Sequence, residues 1–366
     1  MLKCSIMVTG RAGLSFSAGY THNEHYGGTM QRLRLTPDEI RIETAGLYDR
    51  MRRVVPEIEW AVHAPLVAEI NRLKRQRNAV ILAHNYQTPE IFHGVADICG
   101  DSLALAEKAA EVEAETIVMC GVHFMAETAK VLSPDRRVLI PDLEAGCSLA
   151  ESITEDDVRR LRTEYPGVPV VTYVNTTAAV KAEVDICCTS ANAVEVVESL
   201  GAERVIFLPD QFLGQWVAEN TDVEVIQWNG RCEVHEQFTV EDVRAYRRQF
   251  PGVTVIAHPE CDLPVLKEAD MVGSTSGMIR FVADERPERV VMITECSMSD
   301  NVSAEFPDVE FVHSCTICPH MKRITLENIR DSLLYLRHEV EVAADVAERA
   351  RASVEKMLAV GRGPGG

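Results

Sequence analysis

Three cysteines recur along the chain at a nearly constant spacing. Cys147 and Cys232 lie 85 residues apart, and Cys318 follows 86 residues after Cys232. Cysteine thiolates are common protein ligands of zinc and of iron–sulfur clusters, so a recurrent cysteine is a candidate metal ligand. Two other cysteines, Cys120 and Cys261, have no counterpart at this spacing. The spacing therefore predicts one metal site that takes a single ligand from each of three equivalent positions.

The stretches between these cysteines also repeat, and the repeat indicates which elements position them. Residues 157–173 read DVRRLRTEYPGVPVVTY, and residues 242–258 read DVRAYRRQFPGVTVIAH. Residues 68–84 have the same pattern of an amphipathic helix, a short break and an apolar, β-branched strand. Self-similarity at a fixed period indicates structural repeats, and strands that alternate with helices favour parallel sheets.

We therefore predict an α/β fold of three homologous units about a pseudo-threefold axis, each unit a parallel sheet between two layers of helices. One aspartate marks the same short strand in each unit, at Asp97, Asp185 and Asp270. The start of the chain is glycine-rich and lacks periodicity, which is typical of a mobile tail. The predicted parts are an N-terminal extension over 1–60, units over 66–150, 154–236 and 239–321, and C-terminal helices over 325–360 that pack on the core.

Three thiolates that meet near such an axis leave two metals to consider. Zinc with three sulfur ligands keeps an open fourth position, as catalytic zinc sites do. A [4Fe–4S] cluster ordinarily takes four cysteines, so a cluster held by three has one iron with a free position that can act as a Lewis acid. Cys315 and Cys318 form a CxxC pair, which also allows a regulatory disulfide. The 85-residue spacing excludes Cys120 and Cys315 as ligands.

Polar residues recur where the predicted strands end, which is where parallel sheets bind ligands. Three strand-to-helix turns carry hydroxyls: Asp101-Ser102, Thr189-Ser190 and Ser274-Thr275-Ser276. A helix N-terminus has free N–H groups and a partial positive charge, so three matched turns predict an anion pocket, although a single turn would be explained as an N-cap. Groups that can move or share protons follow the first strand of each unit, and one follows Cys232: His84, Tyr86, Tyr173, Asn175, His258, Glu260 and His235.

The composition limits the partners of the protein. The 366-residue chain has a formal net charge of −19, from 56 acidic and 37 basic residues. Such a surface repels phosphate backbones, so we expect no nucleic acid partner, and an anionic substrate must be captured by local dipoles. We expect no membrane span, because no apolar run approaches about 20 residues, and we find no secretion signal. Eleven cysteines, an odd number, then favour a reducing, cytoplasmic compartment.

Eight short motifs together are specific to one enzyme family. They are AHNYQTPEI (83–91), GDSL (100–103), GVHFMAETAKVLSP (121–134), TYVNTTAAVKAEVD (172–185), FLPDQFLG (207–214), HPE (258–260), GSTSG (273–277) and CPHMKRITL (318–326). On these motifs the sequence resembles the quinolinate synthase family over roughly residues 65–360. The resemblance implies three α/β domains about a pseudo-threefold axis, with one cysteine from each domain bound to a [4Fe–4S] cluster. It also implies a step of NAD biosynthesis, in which iminoaspartate and dihydroxyacetone phosphate condense and cyclise to quinolinate, with loss of phosphate and water.

The same resemblance implies roles for individual residues and a functional partner, an enzyme that produces iminoaspartate. The implied cluster ligands are Cys147, Cys232 and Cys318. The predicted catalytic residues are Tyr86, Glu260, His258 and Tyr173. The predicted substrate contacts are His84, Ser102, Tyr173, Asn175, Ser190, His235, His258, Glu260, Ser274 and Thr275.

One departure from the family pattern and two alternatives accompany this prediction. Some relatives have a CxxCxxC motif, whereas position 312 is Val here, so only Cys315 and Cys318 remain. The first alternative is a zinc-dependent lyase or hydrolase with three thiolate ligands. The second is a non-catalytic iron–sulfur sensor or carrier, which has no need of the matched histidine, tyrosine and glutamate residues.

Overall fold

The computed structural model of the protein describes residues 34–314 and 316–361. Its strands are β1 (Ala79–His84), β2 (Ile98–Gly100), β3 (Thr116–Cys120), β4 (Arg137–Leu139), β5 (Val170–Tyr173), β6 (Ile186–Cys188), β7 (Arg204–Leu208), β8 (Glu224–Gln227), β9 (Thr254–Ala257), β10 (Met271–Val272), β11 (Arg289–Ile293) and β12 (Glu310–Val312). Its helices are α1 (Pro37–Glu43), α2 (Leu47–Met51), α3 (Glu57–Gln76), α4 (Pro89–Phe92), α5 (Ser102–Glu111), α6 (His123–Leu132), α7 (Ser148–Glu151), α8 (Glu155–Glu164), α9 (Ala178–Lys181), α10 (Ala193–Ser199), α11 (Gln211–Glu219), α12 (Val240–Gln249), α13 (Leu263–Leu266), α14 (Thr275–Glu285), α15 (Cys296–Glu305), α16 (Leu326–Tyr335) and α17 (Ala344–Val360).

The strands form three four-stranded sheets with one topology. The orders are β2-β1-β3-β4, β6-β5-β7-β8 and β10-β9-β11-β12, and every pair within the three sheets is parallel. The central strands are apolar and almost wholly buried, as expected where helices cover both faces of a parallel sheet. The predicted α/β fold of three homologous units is confirmed.

One ion pair recurs in all three units and ties each first strand to its neighbours. The aspartate that marks the repeat accepts a backbone N–H of the unit's first strand at 2.8 Å, from Ile81, Val170 or Val255. The same carboxylate pairs with a cation from the helix before that strand, and this fixes the helix against the sheet. The three pairs are Lys74–Asp97 at 2.7 Å, Arg162–Asp185 at 3.0 Å and Arg247–Asp270 at 3.0 Å.

The chain beyond the third unit packs back on the first two. Helices α8, α12 and α16 each begin with a capping box, in which a threonine and the residue three positions later accept each other's backbone N–H groups. Helix α16 packs on α3 of the first unit. Residues 338–340 then pair antiparallel with β4, and α17 packs on β6, α9 and α6. The C-terminal helices therefore join the first unit to the second.

The segment before the first unit is helical where the structure describes it. Within the predicted N-terminal extension over 1–60, residues 1–33 lie outside the described residues, and the rest forms α1, α2 and the start of α3. Helix α1 packs on α3, and α2 packs on α15 of the third unit. Among the described residues, no helix is both long and apolar enough to cross a membrane.

Candidate active site at the junction of the three units

A cavity lies where the three units meet. It contains side chains from the strand ends and strand-to-helix turns of every unit, as expected for ligand binding in parallel sheets. Among the predicted site residues, Ser274 alone does not line it. The predicted residues that do line it are His84, Tyr86, Ser102, Cys147, Tyr173, Asn175, Ser190, Cys232, His235, His258, Glu260, Thr275 and Cys318.

The three recurrent cysteines open into this cavity from equivalent loops. Each sulfur accepts a backbone N–H from residues two or three positions later in the chain. Burial raises the pKa of Cys147 to about 12 and that of Cys318 to about 11, and it raises the pKa of Cys232 well above its ordinary value. Bound metal would deprotonate such thiols, and the N–H groups are placed to stabilise the resulting thiolates.

The spacing of these sulfurs bears on the two metals considered for them. The Sγ atoms of Cys147, Cys232 and Cys318 do not all lie within 4.8 Å of one another. Tetrahedral zinc with Zn–S bonds of about 2.3 Å requires sulfurs about 3.8 Å apart. A single zinc ion would therefore require the three cysteine loops to move closer together. Cys120 is buried at the end of β3, outside the cavity. Cys315 lies outside the described residues, and Cys318 is a free thiol, so it does not form the disulfide that the CxxC pair allowed.

The three cysteine loops are tied to one another in a closed ring. The Ser148 hydroxyl donates to the Arg231 carbonyl at 3.3 Å and accepts the Glu233 N–H at 3.2 Å, which joins the first loop to the second. Glu233 pairs with His320 at 2.8 Å, which joins the second loop to the third. Arg323 pairs with Asp142 at 3.3 Å, and this returns to the first loop. The ring fixes the three sulfurs relative to one another.

A chain of buried hydrogen bonds runs along one wall of the cavity. The Tyr86 hydroxyl lies 2.7 Å from Oγ1 of Thr294, which lies 2.9 Å from Nε2 of His235. Nδ1 of His235 lies 2.7 Å from Oε2 of Glu260. The chain connects a phenol to a carboxylate through side chains from all three units. Thr294 was not among the predicted site residues.

The charges of this chain are set by its neighbours. Burial alone would raise the pKa of Glu260, but the His235 and His258 rings and hydrogen bonds from His235 and Tyr173 outweigh it and lower that pKa below its ordinary value. Burial and the Glu260 charge raise the pKa of both Tyr86 and Tyr173 well above the ordinary range. Glu260 is therefore an ionised base, and the two tyrosines are protonated acids.

Two further histidines of the cavity are held neutral. Burial lowers the pKa of His84 to about 4 and that of His258 to about 3. The Tyr86 backbone N–H donates to Nδ1 of His84 at 3.2 Å, so neutral His84 has its proton on Nε2. His258 stacks on His235, with ring centroids 4.7 Å apart, and its Nε2 lies 3.2 Å from the Ser190 hydroxyl.

Two of the three predicted anion-binding turns begin helices directly. Ser102 and Thr275 are the first residues of α5 and α14 and line the cavity. Ser274 is the N-cap of α14, and its hydroxyl accepts the Gly277 N–H. The third turn differs, because Oδ1 of Asn192 accepts the Thr189 N–H at 2.8 Å and delays the start of α10 to Ala193.

A partly buried ion pair beside the cavity links the third cysteine loop to Tyr86. Nζ of Lys322 lies 2.9 Å from the Glu295 carboxylate, and it donates to the Tyr86 carbonyl at 2.7 Å. Glu295 is fully buried and also accepts the backbone N–H of Cys318. The pair therefore fixes a candidate metal ligand relative to a candidate catalytic tyrosine. Neither residue was predicted, although Glu295 matches Asp210 in the repeat.

This chain is similar to one family of known proteins over most of its length. A family model described as quinolinate synthetase A protein matches residues 68–359. Quinolinate synthase 1 of Mesorhizobium japonicum is 65% identical over 317 residues, which cover 87% of this chain and 98% of that protein. Quinolinate synthase of Agrobacterium fabrum is 62% identical over 320 residues, covering 87% and 93%. Quinolinate synthase of Sinorhizobium fredii is 55% identical over 350 residues, covering 95% and 97%.

Proposed function

The chain belongs to the quinolinate synthetase A family, and from this premise we propose that it condenses iminoaspartate with dihydroxyacetone phosphate and cyclises the product to quinolinate, with loss of phosphate and water. The observation that carries the proposal is the single cavity in which three equivalent cysteines meet a connected set of acids and bases. The reaction serves NAD biosynthesis in the cytoplasm, where thiols stay reduced. An enzyme that makes iminoaspartate is the expected functional partner.

Cys147, Cys232 and Cys318 would hold a [4Fe–4S] cluster in this proposal. The support is their common cavity, the N–H groups directed at each sulfur, and a sulfur spacing wider than a single zinc ion requires. When bound through three thiolates, such a cluster supplies an iron with a free coordination position, which is a Lewis acid for an oxygen or nitrogen of the substrate.

The anionic groups of the substrates would be bound without a basic side chain. Among the described residues, no lysine or arginine lines the cavity, whereas the N-termini of α5 and α14 open into it. Backbone N–H groups and helix dipoles are sufficient to bind phosphate and carboxylate. The hydroxyls of Ser102, Ser190 and Thr275, the amide of Asn175 and the Nε2–H of His84 would add directional donors.

Proton transfer would use the two ends of the buried hydrogen-bond chain. Glu260 is ionised and can take a proton from a carbon or nitrogen of the condensing substrates. Tyr86 is protonated and can give a proton to a leaving hydroxyl, and Tyr173 beside Glu260 is a second acid. Thr294 and His235 connect the base to the acid, so the proton removed at Glu260 can be returned through Tyr86. His258 shields and orients the His235 ring.

An anaerobic assay tests the proposal directly. The purified protein is given dihydroxyacetone phosphate and freshly generated iminoaspartate, and quinolinate is measured by chromatography. We expect quinolinate to form with the wild-type chain and not with Glu260→Gln. Protein with a full complement of iron and sulfide that forms no quinolinate would contradict the proposed reaction, and Cys120→Ser serves as the matched control that keeps activity.

A further inference from the structure

We propose that Cys232, His235 and Glu260 form a mononuclear zinc site. This site shares Cys232 with the three-cysteine site, so metal cannot occupy both sites at once. The Sγ of Cys232, a ring nitrogen of His235 and a carboxylate oxygen of Glu260 all lie within 4.8 Å of one another. In the described part of the chain, this is the one such group of three side chains with metal-ligand atoms. A thiolate, an imidazole and a carboxylate are a donor set that zinc takes readily.

Nδ1 of His235 lies close to both of the other donor atoms. Nδ1 of His235 lies 3.2 Å from Sγ of Cys232 and 2.7 Å from Oε2 of Glu260. Zinc bonds of about 2.0–2.3 Å in a tetrahedral site put neighbouring ligand atoms about 3.3–3.6 Å apart. Nδ1 of His235 therefore needs to move away from the other two donors by less than about 1 Å to admit the ion. All three donor residues line the cavity, so water from the cavity could take a fourth coordination position.

The residues behind the donors already have the hydrogen bonds that a zinc site requires. A histidine ligand ordinarily gives its second ring N–H to an oxygen acceptor, and Nε2 of His235 lies 2.9 Å from the Thr294 hydroxyl. Tyr173 donates to Glu260, and the stacked His258 ring fixes the plane of His235. Zinc binding at Nδ1 would leave the ring proton on Nε2, where Thr294 accepts it. Two of the three donors, His235 and Glu260, are therefore held in place by buried side chains.

Sharing of Cys232 makes the two metal sites mutually exclusive. A chain whose Cys232 and Glu260 hold zinc lacks one cluster ligand and the free carboxylate of the proposed base. Zinc bound to the newly made chain would therefore delay cluster assembly and leave the enzyme inactive, whereas a chain that already holds its cluster would resist zinc. Because the zinc site does not use Cys147 or Cys318, zinc binding can be measured in a chain that lacks both cysteines and so cannot form the three-cysteine cluster.

The test uses the full chain with Cys147→Ala and Cys318→Ala, titrated with Zn²⁺ against a chromophoric chelator and separately with Co²⁺. We expect one tight site per chain, and the absorption bands of tetrahedral Co²⁺ with a single thiolate ligand. Adding His235→Gln or Glu260→Gln should weaken zinc binding by at least about 100-fold, beyond the usual cost of losing an outer partner. His84→Gln, a buried histidine of the same cavity outside the group, is the matched control and should change affinity by less than about threefold. Circular dichroism verifies that each variant is folded.

Two outcomes would overturn the proposal. Loss of the tight site in the Cys147→Ala, Cys318→Ala chain would assign zinc to the three sulfurs together. Unchanged affinity in both the His235→Gln and Glu260→Gln variants would assign it elsewhere. Neither result bears on quinolinate formation, which is measured on the wild-type chain, so failure of this proposal and failure of the proposed function are distinguishable.

Discussion

Thr294→Val interrupts the hydrogen-bond chain at its centre. Valine has nearly the shape of threonine but has no hydroxyl, so the Tyr86 hydroxyl and Nε2 of His235 lose their shared partner. Both groups are buried, and each unpaired group costs about 1–3 kcal/mol. If about 1.4–2.7 kcal/mol of this falls on the transition state, kcat drops by about 10- to 100-fold. KM should change by less than about twofold, because Thr294 does not line the cavity.

The assay is anaerobic steady-state quinolinate formation, with iron and sulfide measured on the same samples. Thr294→Ser keeps the hydroxyl and is the matched control, which we expect to retain most of the activity. Tyr86→Phe removes the acid itself, so adding Thr294→Val to it should have little further effect, because the two residues act as one unit. A Thr294→Val enzyme with normal kcat and normal cluster content would refute the role given to this chain.

Three further predictions concern the residues around the site. Lys322→Met leaves Glu295 buried without its cation, so the free energy of unfolding should fall by about 3 kcal/mol. This loss is at the low end for buried pairs, because the Lys322 side chain is 23% exposed. Denaturant unfolding measures the loss, and full stability in the single variant would contradict it. Glu233→Gln opens the ring of loops and should speed the loss of iron to a chelator by about two- to fivefold, since partly exposed ion pairs contribute up to about 1 kcal/mol. An unchanged rate of iron loss would argue against the ring. Burial lowers the pKa of His93 from 6.5 to about 4, so protons bind preferentially to the unfolded chain. As the pH falls from 6.5 to 4, the free energy of unfolding of the wild type should therefore drop by about 3 kcal/mol more than that of His93→Gln. Parallel curves of stability against pH for the two proteins would rule this out.

The repeat allowed much of the fold to be predicted from the sequence. Each unit carries the same helix, strand and aspartate in the same order, and each aspartate makes the same contact to the first strand. The three cysteines follow the same period and do line one cavity. Residues that recur for a shared structural reason leave a signal in every copy, and three copies reinforce it.

Residues that act in one copy only left no such signal. Thr294 corresponds to Pro209 in the second unit and Gly121 in the first, neither of which has a hydroxyl, so the register could not reveal it. The Lys322–Glu295 pair was missed for the same reason, because its contacts join separate units. The delayed start of α10 depends on one side chain, Asn192, which periodicity does not report.

Other features could have been found by extending the same comparison. The capping boxes at Thr154, Thr239 and Thr325 are 85 and 86 residues apart, so α16 occupies in sequence the place of a fourth first helix. Instead of starting a new sheet, α16 packs on α3 of the first unit. The packing partner of a helix is decided by the apolar surface available to it, which the sequence pattern alone does not specify.

The most direct test of the central claim is the metal content of the anaerobically purified chain and of its three single cysteine variants. We predict about four irons and four acid-labile sulfides per wild-type chain, and loss of both together in Cys147→Ser, Cys232→Ser and Cys318→Ser. Wild-type chain with zinc and no sulfide, or any one of these variants with a full cluster, would contradict the account.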